Sequence, residues 1–401
     1  MDTSAHFWEN LCIWKRCIIP IEPYLAISSS MYEHHMTEDE KELHECRNRI
    51  TQYEQSLTNG RNWEYYKKIV NPYEIVYTQR KYGNFPESLC FLKPLSRSYF
   101  KMIEMLDLID FFGPIPTDFR TAHVCEGPGG FIEAVMDEAA KHRKKLLTST
   151  AMTLKSKKSN IPGWRRAATF LQKNKNIHIL FGEDQTGDIM KPENQQSFIH
   201  HVSQDGKVHL FTADGGFDFS CDYMKQEQMV FPLLMASTKI GLEVLQIGGV
   251  FVLKLFDFYH PSTMDLVYFL SCHFEEWTLY KPCMSRPCNP EHYFIGKGFV
   301  GCSEKTLDVM RLWCSYLENE QPLESLFLSH DRSEFNQMIR LFQHKSFQMQ
   351  KEYLERVFRM IDQHSEEHIR QCLKTNEKLS YEWCVRFKVP MYEQRIRSIE
   401  E

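Results

Sequence analysis

The sequence predicts an α/β fold built on a mostly parallel sheet, and three observations carry that prediction. Short apolar runs recur at 121–125, 146–150, 177–181, 208–213, 248–256, 277–281 and 292–299. Helix-period stretches separate most of them, as at 130–142, 191–202, 223–246 and 262–273. A turn of three glycines and a proline, Gly127-Pro128-Gly129-Gly130, joins the first run to the first of those stretches. Strands that alternate with helices pack as a parallel sheet covered on both faces.

Taken in order, residues 1–85 read as a helical region rich in charge and aromatics, 86–302 as the sheet domain, and 303–401 as a second helical region without glycine. Lys101 lies on a helix in "LSRSYFKMIEMLDLIDFF" just before the first strand. The glycine turn leaves that strand at its carboxyl end, where the absence of a Cβ lets a ligand approach the backbone. Asp214 follows the fourth run in "TADGG", Lys254 interrupts the apolar fifth run "FVLKLF", and Glu291 opens the last run in "NPEHYFIGKGF". A lysine between Val252, Leu253, Leu255 and Phe256 is hard to explain by packing alone.

Composition narrows the classes. No apolar run reaches the roughly 20 residues of a membrane helix, and the N-terminus lacks a basic segment followed by an apolar one. The thirteen cysteines are scattered without a CxxC pair, which predicts thiols in a reducing compartment, nucleus or cytoplasm. The cluster His34, His35, His44 and Cys46 fits no metal-ligand spacing and reads as a polar helix face, so no metal is expected. Net charge is -5, yet eleven Lys or Arg and no acid lie between Lys141 and Lys175, a run suited to phosphates if it borders the site. A dinucleotide site would place an acid about 20 residues beyond the glycine turn. None stands between Ala139 and Gly182; the next acids are Glu183, Asp184 and Asp188.

The order of glycine turn, Asp, Lys and Glu, preceded by a Lys in "SRSYFK", resembles the Lys-Asp-Lys-Glu tetrad of FtsJ-type ribose 2'-O-methyltransferases. "CEGPGGFIEAV", "GDIMKPEN", "TADGGFDF" and the stretch from "GGVFVLKLF" to "EHYFIGKGF" are similar to the mRNA cap 2'-O-methyltransferase (adrift-like) branch. The similarity covers about 86–300.

That resemblance implies a Rossmann-like S-adenosylmethionine-dependent methyltransferase fold, seven-stranded with the last strand antiparallel. It implies S-adenosylmethionine as methyl donor and capped mRNA as partner, alongside other capping or transcription machinery. The tetrad becomes Lys101, Asp214, Lys254 and Glu291, with Lys254 as general base, Asp214 orienting it and the donor, and Glu291 holding Lys101 and the ribose. An ordinary lysine, with a pKa of about 10.4, is protonated at neutral pH; burial and Lys101 are expected to depress Lys254. Donor contacts are implied at Glu126, Gly127, Pro128, Gly129, Gly130, Asp184, Asp188, Ile189 and Asp214. Acceptor contacts are implied at Gln226, Arg286 and Asn289. Lys155, Lys157 and Lys158 of the basic run are expected to guide RNA. Trp63, Tyr65, Tyr66, Tyr73, Tyr77 and Tyr82 are candidates for a cap sandwich, against the ordinary reading of each as a core aromatic. Two positions depart from the pattern: Met224-Lys225 replace Asn-Leu before Gln226, and His123 replaces the acid of the first strand. The resulting expectation is methylation of the first transcribed nucleotide. Alternatives are the second nucleotide, rRNA or tRNA, and an inactive RNA-binding subunit.

Overall fold

The computed structural model describes residues 14–17, 26–27, 36–54, 60–78, 85–155, 163–216, 223–318, 323–326 and 332–395. Among the described residues the ten strands are β1 (Trp14–Lys15), β2 (Ala26–Ile27), β3 (Asp118–Val124), β4 (Lys145–Met152), β5 (Ile177–Leu180), β6 (Val208–Ala213), β7 (Leu245–Leu255), β8 (Phe274–Tyr280), β9 (His292–Phe299) and β10 (Leu323–Ser325). The helices are α1 (Glu38–Glu54), α2 (Trp63–Ile69), α3 (Ser98–Leu108), α4 (Gly130–Lys141), α5 (Ala168–Lys173), α6 (Pro192–Gln204), α7 (Tyr223–Val244), α8 (Pro261–Ser271), α9 (Glu304–Glu318), α10 (Ser333–Asp362) and α11 (Glu366–Arg386).

All seven expected strands form, and they join in the order β8-β9-β7-β6-β3-β4-β5, with β1 added at the β8 edge. β5, β4, β3, β6 and β7 run parallel; β9 is antiparallel to both β7 and β8. The eighth strand, β1, was not expected, because two residues carry no periodicity. Local signals fix several helix starts. Thr37 and Glu40 form a reciprocal cap on α1, Asn62 accepts from the Tyr65 N–H, and Pro192 and Pro261 stand in the first turns of α6 and α8.

Alternation along β7 divides the core. Val250 and Val252 face a layer built on α3, α4 and α11, whereas Phe251, Leu253 and Leu255 face α7, α8 and α9. The terminal regions take part in these layers: Met310, Trp313, Phe335 and Ile339 pack in one, and Tyr73, Ile75 and Trp383 in the other. A third cluster joins α1, α2 and α10 through Leu43, Trp63, Tyr66, Leu354 and Val357. The eleven cysteines among the described residues are free thiols. His34 and His35 lie outside the described residues, and Cys46 is a buried thiol against Glu355. No helix among the described residues is long and apolar enough to cross a membrane.

Candidate active site

The carboxyl ends of β3 to β7 open on one edge, and strand order reverses between β3 and β6, where open α/β sheets leave a crevice. β3 stops at Val124, and Cys125 turns the chain with φ 58°. The Glu126 carboxylate folds over the start of α4 and accepts the Phe131 N–H at 3.0 Å, while the Gly127 N–H donates to Thr153 Oγ1 at 2.9 Å. Gly129 is left-handed (φ 103°), and a Cβ there would lie 3.2 Å from the Trp164 ring. A Cβ on Gly130 would come within 2.2 Å of Ser96 Oγ and 2.3 Å of Ser98 Oγ. The missing side chain therefore lets α4 press against the start of α3, the helix that carries Lys101.

Two lysine–carboxylate pairs face this turn. Lys101 Nζ lies 2.6 Å from Glu291 Oε1, and Lys254 Nζ lies 3.2 Å from Asp214 Oδ1; all four side chains are 13–15% exposed. Lys254 also donates to the Asp214 carbonyl at 3.0 Å. β7 supplies Lys254 at its carboxyl end and β6 supplies Asp214 one residue beyond its own. The site thus brings together the four residues named by the resemblance, each largely but not fully buried.

The charge balance on Lys254 differs from the expectation. Burial opposes its charge, but Asp214 and Glu291 outweigh burial and raise its pKa above the ordinary lysine value. Lys101 is itself paired with Glu291. Burial and the neighbouring Asp214 push the Glu126 carboxyl well above the usual range. Glu291 is held below it, because Lys101 and Lys254 prevail over burial.

Around the crevice, the expected contact residues divide. Asp188 is half-buried and its Oδ1 accepts the Met190 N–H at 3.0 Å, while Ile189 packs in the core. Asp184 lies on the exposed side, its Oδ1 accepting from Thr186 and Asn194 and its Oδ2 from Lys191. Gln226 is buried, and its Oε1 has no hydrogen-bond partner among the described residues. Arg286 pairs with the buried Glu74 carboxylate, its Nε and Nη2 each at 3.1 Å. The Asn289 carbonyl accepts from Lys281. Lys155 Nζ sits 5.2 Å from the Phe181 ring centre, and Lys157 and Lys158 lie outside the described residues.

The basic run does not line the crevice as a whole. Lys141, Arg143, Lys144 and Lys145 stand where α4 ends and β4 begins, and Lys173 and Lys175 precede β5. Those positions are at the opposite edge of the sheet, because a helix that leaves the carboxyl edge must return the chain to the amino edge. Trp63, Tyr65, Tyr66 and Tyr73 are core aromatics, Tyr77 packs half-buried on Phe100, and Tyr82 lies outside the described residues. His123 is fully buried in β3 between Thr121 and Thr212 hydroxyls at 2.8 and 2.7 Å. Burial lowers its pKa to about 3, so it is neutral and serves the sheet.

Three residues of the site were missed. Tyr293 donates its hydroxyl to Asp214 Oδ1 at 2.8 Å and pairs in register with Lys254. Its position two residues after Glu291, on the same strand face, was the available signal. Glu104, one turn after Lys101, is fully buried and accepts from Tyr280 Oη (2.7 Å), the Cys283 and Met284 N–H groups (2.7 and 2.9 Å) and Trp383 Nε1 (3.0 Å). Burial lifts its carboxyl to about 7 against the pull of those four donors. Lys281 is likewise buried. No sequence signal reveals either residue, because their partners come together only when the β8–β9 connection folds.

The FtsJ-like methyltransferase family model matches residues 94–299. Among curated proteins, the chain is 29% identical over 309 residues to the cap-specific mRNA (nucleoside-2'-O-)-methyltransferase 1 of Dictyostelium discoideum, covering 70% of this chain and 40% of that protein. It is 32% identical over 224 residues to the Xenopus laevis protein of that name (51% and 26% covered) and 37% identical over 184 residues to the human one (44% and 21%). The chain thus spans two fifths or less of the length of these relatives. The glycine turn, the paired lysines and carboxylates, the sheet order and the family match over half the sequence agree: the chain belongs to the FtsJ-like methyltransferase family.

Proposed function

We propose that the chain methylates the ribose 2'-hydroxyl of the first transcribed nucleotide of capped RNA, with S-adenosylmethionine as donor. The observation that carries this reading is the juxtaposition of Lys254–Asp214 and Lys101–Glu291 beside the glycine turn. The donor's chemistry fits the residues present: a cationic sulfonium and ammonium suit a crevice with carboxylates at Glu126, Asp188 and Asp214, and a Cβ-free turn admits a nucleoside. Glu126 to Gly130, Asp188, Ile189 and Asp214 would hold it. When bound, the donor supplies an electrophilic methyl group on positively charged sulfur.

Lys254 Nζ accepts the proton of the 2'-hydroxyl as that oxygen becomes the nucleophile, a general-base role. The ammonium must first lose its proton, and Asp214 governs that step. A carboxylate shared with a cationic ligand stabilises the Lys254 charge less than one devoted to it, which favours the free amine. Tyr293 fixes Asp214, and the Lys101–Glu291 pair presents a donor and an acceptor to the ribose, holding it for in-line attack. Gln226, whose Oε1 has no partner among the described residues, and Asn289 are the acceptor contacts, while Lys155, Lys157 and Lys158 attract the RNA phosphates. The compartment is reducing, nuclear or cytoplasmic.

The "SRPCNPE" segment resembles enzymes acting on the first nucleotide, "GEDQTGDI" also resembles those acting on the second, and the names of the relatives support the capped substrate. Labelled-methyl transfer to m7GpppN-RNA, and to the same RNA already methylated on its first nucleotide, followed by nuclease mapping, tests it. Label on the first nucleotide is expected; label on uncapped RNA alone would reject the reading.

A further inference from the structure

Lys281 follows β8 directly and begins the connection to β9 that carries Arg286, Asn289 and Glu291. Its side chain turns inward, leaving the residue 6% exposed. Nζ donates to the Asn289 carbonyl at 2.6 Å and the Glu291 carbonyl at 2.9 Å, and lies 3.5 Å from Ser285 Oγ. One amine thus gathers three oxygens from a seven-residue stretch. Burying an ammonium is costly unless its hydrogens are satisfied; a methionine would fill the space without that cost. Burial pushes the Lys281 amine down to about 8, with Glu291 opposing and Lys101 adding to the shift.

The two held carbonyls belong to an expected acceptor contact and to the partner of Lys101. Fixing the backbone of Asn289 and Glu291 fixes where the Glu291 carboxylate meets Lys101 at 2.6 Å. Glu104 holds the first half of the connection through Cys283 and Met284, and Glu74 holds Arg286. Only Lys281 reaches the half that enters the crevice from these three buried charges.

We infer that Lys281 is a positioning residue of the transfer site, acting through the Asn289–Glu291 backbone to place Glu291 against Lys101. The role rests on the methyltransferase reading for its kinetic consequence, but its geometry can be tested apart from it. In a crystal structure of Lys281→Met, the Lys101–Glu291 pair is expected to open beyond 4 Å; a pair unchanged from the wild-type distance overturns the assignment. In kinetics, Lys281→Met is expected to lower kcat/KM for capped RNA about 100-fold, the scale of a small misplacement at a reacting centre, while the dissociation constant for S-adenosylmethionine stays within twofold.

The double variant Lys281→Met/Glu291→Gln separates this from a general loss of structure. If Lys281 acts through Glu291, the double variant is little worse than Glu291→Gln alone; losses that multiply show independent roles and reject the inference. Should Lys281→Met not fold, Lys281→Gln, which keeps two N–H donors, is expected to give a smaller loss with the same non-additivity. Wild-type protein that binds S-adenosylmethionine but methylates no capped RNA would count against the proposed function, leaving the structural comparison to decide the Lys281 assignment.

Discussion

Lys254 and Lys101 occupy one crevice, yet their surroundings suit them to different work. Lys254 is bonded to the side chain and backbone of Asp214, whereas Lys101 meets the Glu291 carboxylate and, at 6.0 Å, the face of Tyr293. Replacing Lys254 by methionine is expected to reduce kcat by at least about 10³-fold, within the range for a general base, with donor affinity retained; equilibrium binding alongside single-turnover transfer checks both. Because Lys254 is raised above its ordinary value, the free amine is scarce at neutral pH. A base acts unprotonated, so kcat/KM should rise about tenfold per pH unit through neutrality. Asp214→Asn removes the group that most strengthens the ammonium, so the rising limb should move to lower pH even as the maximum falls. A pH–rate profile in which the limb stays in place contradicts that account.

At the level of elements, the contact between α3 and α4 decides whether the two halves of the site meet. Gly130→Ala places a methyl against Ser96 and Ser98 and 3.0 Å from the Tyr99 backbone nitrogen. Overpacking of this kind costs about 1–3 kcal/mol, and it tilts the glycine turn away from the helix bearing Lys101. A lower thermal midpoint together with weakened S-adenosylmethionine binding is expected, measured by calorimetry and titration. The connection after β8 is a second such element: it has no regular structure, and buried Glu104, Lys281 and Glu74 shape it from three directions.

Across the whole molecule, the terminal helices brace the loop that leaves β7. Arg47 of α1 binds Asp257 at 2.6 and 3.1 Å and Gln350 of α10 at 2.8 Å, while Gln343 donates to the Phe258 carbonyl at 2.7 Å. Arg47→Met leaves the Asp257 carboxylate buried without its cation, which costs about 3–5 kcal/mol; a denaturant midpoint shift of that size, with kcat reduced because Lys254 lies three residues upstream, is the expected result. Glu74 adds a pH dependence. Burial raises its carboxyl, but Arg97 and Arg286 outweigh burial and bring it from an ordinary 4.5 to about 2. An acid depressed in the folded state stabilises above its unfolded value and loses that contribution as pH falls through the folded one. About 3 kcal/mol should therefore vanish between pH 4.5 and 2, and Glu74→Gln should flatten that part of the urea midpoint against pH.

The sequence by itself determined the sheet, the glycine turn and the odd placement of Asp214 and Lys254, and its resemblance to the FtsJ-type family named Lys101 and Glu291 beside them. Strand and helix periodicity is local, and Lys254 in "FVLKLF" or Asp214 in "TADGG" stands out against its immediate neighbours. Only the tertiary structure decided which carboxylate serves which lysine, that Arg286 pairs with Glu74, that most of the described basic run lies at the far edge, and that Trp63, Tyr65, Tyr66 and Tyr73 are core. These are matters of partnership between residues tens to hundreds of positions apart. A buried polar group such as Glu104 or Lys281 takes its role from backbone and side-chain groups gathered by the fold, many of which carry no signature in the amino-acid alphabet.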